Sequence, residues 1–229
     1  MKKISQMLLY CFFALGSILI TLSSWVYFDF NERAPFLIEK LPLSFESLYI
    51  FALRIHVLAA ALSLPGCLLL TSKSLLKRYP RFHRHFGRMV GFCILIALAP
   101  SGFYLALFAR GGFAGTFGFW LSGGIVVWAM LRAIHEARAK RYARHRVFTF
   151  HVLGQLGVAV LSRAILVAFD SYPLNPDLIY LISLWIPVVG TFIFIEFFFS
   201  PTPFQFLHRR IYDQTINHSS SFHELVDPS

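Results

Sequence analysis

The sequence predicts an all-α, polytopic membrane protein with six transmembrane helices, both termini cytoplasmic, and a four-helix core from spans two to five. Three observations carry this. The 229-residue chain is 57% hydrophobic and 14% charged, against about 25% charged in an ordinary soluble domain. Its apolar residues fall into six stretches of about the 20 residues that cross a bilayer, at about 7–28, 48–71, 89–109, 113–131, 147–169 and 178–199. Its cations alternate along the chain, crowding into every second connecting segment. This composition excludes a disordered chain and argues against a soluble enzyme.

The first stretch follows Lys2 and Lys3. Its apolar run is longer than the roughly 7–15 residues of a signal-peptide core, and no small-x-small cleavage site follows. It reads as an uncleaved anchor. The second stretch holds Arg54 and His56, and its Pro65-Gly66 pair predicts a kink. Next comes a segment with Lys73, Lys77, Arg78, Arg81, Arg84 and Arg88. The third stretch contains Pro100-Ser-Gly102, a second predicted kink, and the fourth contains Ser122-Gly-Gly124, which suits close helix contact. Arg132, Arg138, Lys140, Arg141, Arg144 and Arg146 lie between the fourth and fifth stretches. Arg209 and Arg210 follow the sixth. The opposite side has only Arg33, Lys40 and Arg110, together with Asp29, Glu32, Glu39, Glu46, Asp170 and Asp177.

By the positive-inside rule the cation-rich segments are cytoplasmic. Residues 1–210 are then one integral membrane domain in a bacterial inner membrane, and 211–229 a polar cytoplasmic tail. The net charge of +10 invites a nucleic-acid reading. Sorted by segment, it becomes a topology determinant and a contact for anionic lipid headgroups. No phosphate-binding glycine loop occurs, so a nucleotide or flavin would have to come from another chain. Cys11, Cys67 and Cys93 stand in apolar runs without metal-ligand spacing.

Ionisable groups within spans are costly and are functional candidates by default. They are Arg54, His56, His151, Arg163 and Glu196. At a rise of about 1.5 Å per residue, His56 lies roughly 12 Å and Arg163 roughly 9 Å from the outer surface. Arg54 and His56 differ by about 200° in phase, so His56 is expected inward and Arg54 outward. Cations beside an intramembrane imidazole suit an anion: a haem propionate, a carboxylate or a phosphate. On span five, His151, Gln155 and Ser162 fall within about 40° of one another, a stripe expected to face the bundle interior. At the cytoplasmic edge stand His83, His85, His135 and His145. Two neutral imidazoles on different helices at one depth can ligate a haem iron. His85 with His145 or His151 is the expected pair, and His56 the expected ligand or flank of an outer haem.

From Ile55 to Arg163 the chain resembles the predicted membrane proteins grouped as domain of unknown function twenty-three-oh-six. The resemblance rests on His56-Val-Leu-Ala-Ala-Ala with Pro65-Gly66 and on Tyr79-Pro-Arg-Phe-His-Arg-His85-Phe-Gly87-Arg88. Ser101-Gly102, Gly111-Gly112, Phe117-Gly118-Phe119, His145-Arg146 and Arg163 extend it. The family usually has Trp-Met-x-Arg after His-Arg, where this chain has Val147-Phe-Thr-Phe150. At fold level that family is similar to transmembrane b-type dihaem cytochromes and ferric reductases.

Two functions remain open. One is a haem b-binding electron-transfer component using His56, His85, His145 and His151, with Arg163 on the propionates and a redox partner or quinone. The other is a cofactor-free carrier, channel or accessory subunit with an anionic-substrate cavity near Arg163.

Overall fold

The structure, a computed structural model, describes residues 2–28, 46–173 and 175–200. The expected tail, Arg209, Arg210 and the charges of 29–45 apart from the chain's re-entry at Glu46 lie outside these residues. Seven helices account for nearly all of it: α1 Lys2–Ser23, α2 Glu46–Leu70, α3 Lys73–Arg78, α4 Pro80–Ala106, α5 Gly112–Arg138, α6 Tyr142–Phe169 and α7 Pro176–Phe199. A 3₁₀ turn, Ser24–Phe28, follows α1. Five helices (α2, α4, α5, α6 and α7) are long and apolar enough to cross a membrane. The first expected span is met by α1 and the 3₁₀ turn, whose described apolar part, Met7–Ser23, is shorter.

The helices overrun the apolar stretches because a helix does not end where the hydrocarbon does. Pro80, pre-set for a first helical turn, starts α4 nine residues before the expected boundary, so His83 and His85 lie on the helix. Residues 132–138, read as connecting segment, are the last turns of α5. That helix ends in a left-handed turn at Lys140 (φ 59°). The Arg141 N–H donates to the Glu136 carbonyl and the Lys140 N–H to the Ala137 carbonyl, closing the orphan carbonyls of the last turn. α3, inside an expected loop, is a short helix capped by Ser72.

Pro100 leaves a mark one turn upstream. A proline has no N–H for the ladder and clashes with the preceding turn. Here the chain widens into a π turn at Ile94–Leu98, and the Ala99 N–H reaches back five residues to the Ile94 carbonyl.

Short turns make successive helices antiparallel. The main core joins Ala59 and Cys67 of α2, Val90, Ile94 and Leu98 of α4, Val126 and Ala129 of α5, and Val152 of α6. These are the helices of spans two to five. α7 adds a second cluster, with Leu184 and Val188 against Val158. Glycine sets the closest approaches: a Cβ on Gly154 would lie 2.7 Å from Ile195 Cδ1, and one on Gly157 2.6 Å from Phe13 Cε1. α7 and α1 therefore flank α6 at near-backbone contact.

Candidate functional site

The seam between α6 and α7 is polar inside an apolar body. Residues four and seven apart on α6 put His151, Gln155 and Ser162 on one line, and α7 answers each. His151 Nε2 lies 3.0 Å from Glu196 Oε1, with side-chain exposures of 0% and 7%. Trp128 of α5 and Phe192 of α7 pack on the imidazole, with ring centroids 6.1 and 5.0 Å away. Its Nδ1 is buried without a hydrogen-bond partner. One turn on, Gln155 Nε2 donates to the Val188 carbonyl (2.9 Å) and to Thr191 Oγ1 (3.0 Å). Its Oε1 accepts from Ser122 on α5 (2.9 Å). Ser162 donates to Ser183, which donates to the Tyr180 carbonyl. The expected stripe thus faces the interior.

At the cation-poor end five segments converge. Arg163 donates from Nη1 to the Ala159 carbonyl of its own helix (3.1 Å) and lies within electrostatic reach of Tyr27 and Tyr180. Tyr49 of α2, only 2% exposed, is within reach of Tyr27, Tyr104 and Tyr180. Arg54, on the far side of α2 from His56, donates from Nε to the Tyr27 carbonyl (3.0 Å). Arg110 pairs with Asp177 at 2.7 Å. The tyrosines gave no signal in the sequence.

The cation-rich end contains an acid that charge sorting overlooked. Glu136 is fully buried. Arg141 holds it from Nε, and Arg132 Nη2 stands 3.6 Å from Oε1. These two cations therefore neutralise a buried carboxylate as well as marking one side of the bundle.

The four imidazoles expected on haem are each engaged separately. His56 Nδ1 lies 3.2 Å from the Leu98 carbonyl and 3.2 Å from Ser101 Oγ. A carbonyl only accepts, so Nδ1 carries the proton. Gly102 makes room for this ring: a Cβ there would meet His56 Cε1 at 3.0 Å. His145 Nδ1 likewise donates to the Ala133 carbonyl (2.8 Å), at the opposite end of the bundle. The expected partner of His145 is displaced. His85 is exposed, its Nδ1 turned to its own Arg81 carbonyl at 3.5 Å, and His83 is the imidazole within reach of His145. The two differ by about 200° around α4, and nothing in the spacing chose between them. His151 is held by Glu196 and enclosed by rings. His56 and His145, at opposite ends of the bundle, cannot share one iron, and His151 Nε2 is already taken by Glu196. Among the described residues, no three His, Cys, Asp or Glu side chains gather as metal ligands.

A sequence model of the family described as predicted membrane protein DUF2306 matches residues 53–199. No curated protein and no solved structure matches the chain.

Proposed function

This chain belongs to the predicted membrane protein family DUF2306, a multi-pass membrane family, and on that footing we propose a cofactor-free carrier or accessory component that engages an anionic ligand at Arg163. In this reading it crosses a bacterial inner membrane six times, with α1 as the first span and both termini cytoplasmic. Anionic headgroups lie against the cation-rich end. The observation that carries the reading is that Tyr27 and Tyr180 stand within electrostatic reach of Arg163 at the cation-poor end, with Tyr49 and Tyr104 beside these tyrosines. A guanidinium offers five N–H donors and no acceptor, and each phenol adds an O–H. The only described hydrogen bond of Arg163 runs to a carbonyl of its own helix. A carboxylate or phosphate is the natural complement, because charge-assisted bonds to such groups are about twice as strong as neutral ones. The polar seam from Ser162 to Gln155 continues inward from this end.

Haem-based electron transfer, with a redox partner or quinone, is the competing reading. Its weakness is that His56 and His145 lie at opposite ends of the bundle, His85 is exposed, and Glu196 takes Nε2 of His151. One preparation separates the two. The purified protein in detergent is expected to show no Soret band. Thermal unfolding with acetate or inorganic phosphate should show a saturable rise in midpoint that Arg163→Gln abolishes. An excess of 100 Kd is worth about 2.7 kcal/mol. A Soret band lost on substituting His56 or His145 would overturn the proposal in favour of haem. Anion stabilisation that survives Arg163→Gln would overturn the site.

A further inference from the structure

The turn between α4 and α5 brings a second guanidinium to the Arg163 end. The first turns of α7 fasten it in three places. Arg110 donates from Nε to Asp177 Oδ1 at 2.7 Å. The Tyr180 hydroxyl is hydrogen-bonded to the Arg110 backbone. Leu181 covers the next residue, Gly111, where a Cβ would lie 2.8 Å from Leu181 Cδ2. Gly111 and Gly112 both take left-handed φ values, 83° and 59°, which glycine adopts readily. They reverse the chain into α5 with the Arg110 carbonyl against Gly115. The position of Arg110 is therefore set by packed backbone. Tyr180 gives that position its meaning: Arg110 and Arg163 both lie within electrostatic reach of this one phenol.

The Arg110–Asp177 pair is suited to exchange. Its side chains are 48% and 62% exposed, and an exposed ion pair contributes little. Asp177 has a second stabilising environment in the first turn of α7. There the helix dipole favours a carboxylate, and Asn175 Oδ1 accepts from the Asp177 N–H at 2.8 Å. Asp177 therefore loses little on releasing Arg110. The guanidinium it releases is a planar fork that matches a carboxylate or phosphate. A ligand with one negative charge is satisfied at Arg163 and leaves the resident pair in place. A ligand with two can also displace Asp177 from Arg110.

Given an anion at Arg163, the reading on which this step rests, we propose that Arg110 is the specificity-determining second cation of the site. The ligand is then a small dianion, with Asp177 as the exchangeable counterion of its second charge. Dicarboxylates and phosphate monoesters share this chemistry.

The test uses the full-length protein in detergent at neutral pH and fixed ionic strength. Unfolding midpoints are titrated with succinate, methyl phosphate and acetate, and the readout is the ratio of dianion to acetate affinity. At least one dianion should bind about tenfold or more tighter than acetate, the worth of one added charge-assisted contact. The tighter of the two assigns the ligand to dicarboxylates or to phosphate monoesters. Arg110→Gln should bring the ratio close to one, and Arg110→Lys, which keeps the charge without the fork, should leave it in between. Asp177→Asn removes the competing carboxylate and should raise the ratio, by up to about fivefold. A ratio near one in the unaltered protein, a high ratio that survives Arg110→Gln, or an Asp177→Asn gain shared equally by acetate would overturn the role of Arg110 while leaving anion binding at Arg163 intact. No saturable response to any of the three anions would overturn the Arg163 site and the role of Arg110 with it.

Discussion

Replacing Glu196 by leucine tests whether the α6–α7 seam is held by its polar groups or only by apolar packing. Two magnitudes compete. Interhelical hydrogen bonds in membranes average about 0.6 kcal/mol, because the unfolded helices find other partners in the bilayer. Removing one partner of a fully buried ion pair costs about 3–5 kcal/mol. His151 and Glu196 are 0% and 7% exposed and 3.0 Å apart, and Trp128 and Phe192 deny the imidazole a substitute. Glu196→Leu leaves both ring nitrogens without a described partner, so a loss of about 2–3 kcal/mol is expected, between the two regimes. Glu196→Gln keeps a hydrogen-bonding group opposite Nε2 and should cost less than about 1 kcal/mol. The double variant His151→Phe with Glu196→Leu removes both partners and should recover much of the loss. Reversible unfolding in mixed micelles, run as a double-mutant cycle, gives the coupling directly. A coupling below about 0.5 kcal/mol would refute the reasoning and leave the seam to Gly154 and the apolar contacts around it.

Three further outcomes follow from the same geometry. Gly115→Ala should abolish folded expression, because its Cβ would overlap the backbone carbonyl of Arg110, whereas Gly190→Ala meets nothing within 4 Å and should be neutral; size-exclusion profiles in detergent compare them. Glu136→Gln should cost about 1–3 kcal/mol and remain costly at high salt, because the carboxylate is fully buried; Asp177→Asn, which breaks an exposed pair, should cost less than about 1 kcal/mol. With Cys11, Cys67 and Cys93 replaced, a cysteine introduced by Lys77→Cys should label only from the cytoplasm, and one from Tyr172→Cys only from outside; the reverse pattern would invert the proposed orientation.

Apolar length and helical phase made much of this molecule readable in advance. Spans 48–71 and 178–199 fall close to α2 and α7, and the phase of His151, Gln155 and Ser162 placed them inward. Hydropathy stops at the hydrocarbon boundary, so it missed the last turns of α5 and with them Glu136. Partner choice was less legible than facing. His151 and Glu196 are 45 residues apart, and they meet only because α6 and α7 take one particular axial register. His83 rather than His85 turns toward His145 because of the rotation of α4 about its axis, which spacing within α4 does not define. The tyrosine gathering at Arg163 draws on the 3₁₀ turn, α2, α4 and α7, and no local pattern in any of them announces it.

The π turn at Ile94–Leu98 makes the number of residues in α4 as important as their identity. Each residue turns a helix by about 100°, so the wider turn offsets the phase of 80–93 from that of 99–106. Val90 can then face the core while Ser101 faces His56. Deleting one residue here would restore a regular helix. It would also swing one half by that angle, taking either Val90 off the core or Ser101 off His56. Length changes that the turns between helices can absorb are therefore forbidden within this stretch, even where every substitution in it is conservative.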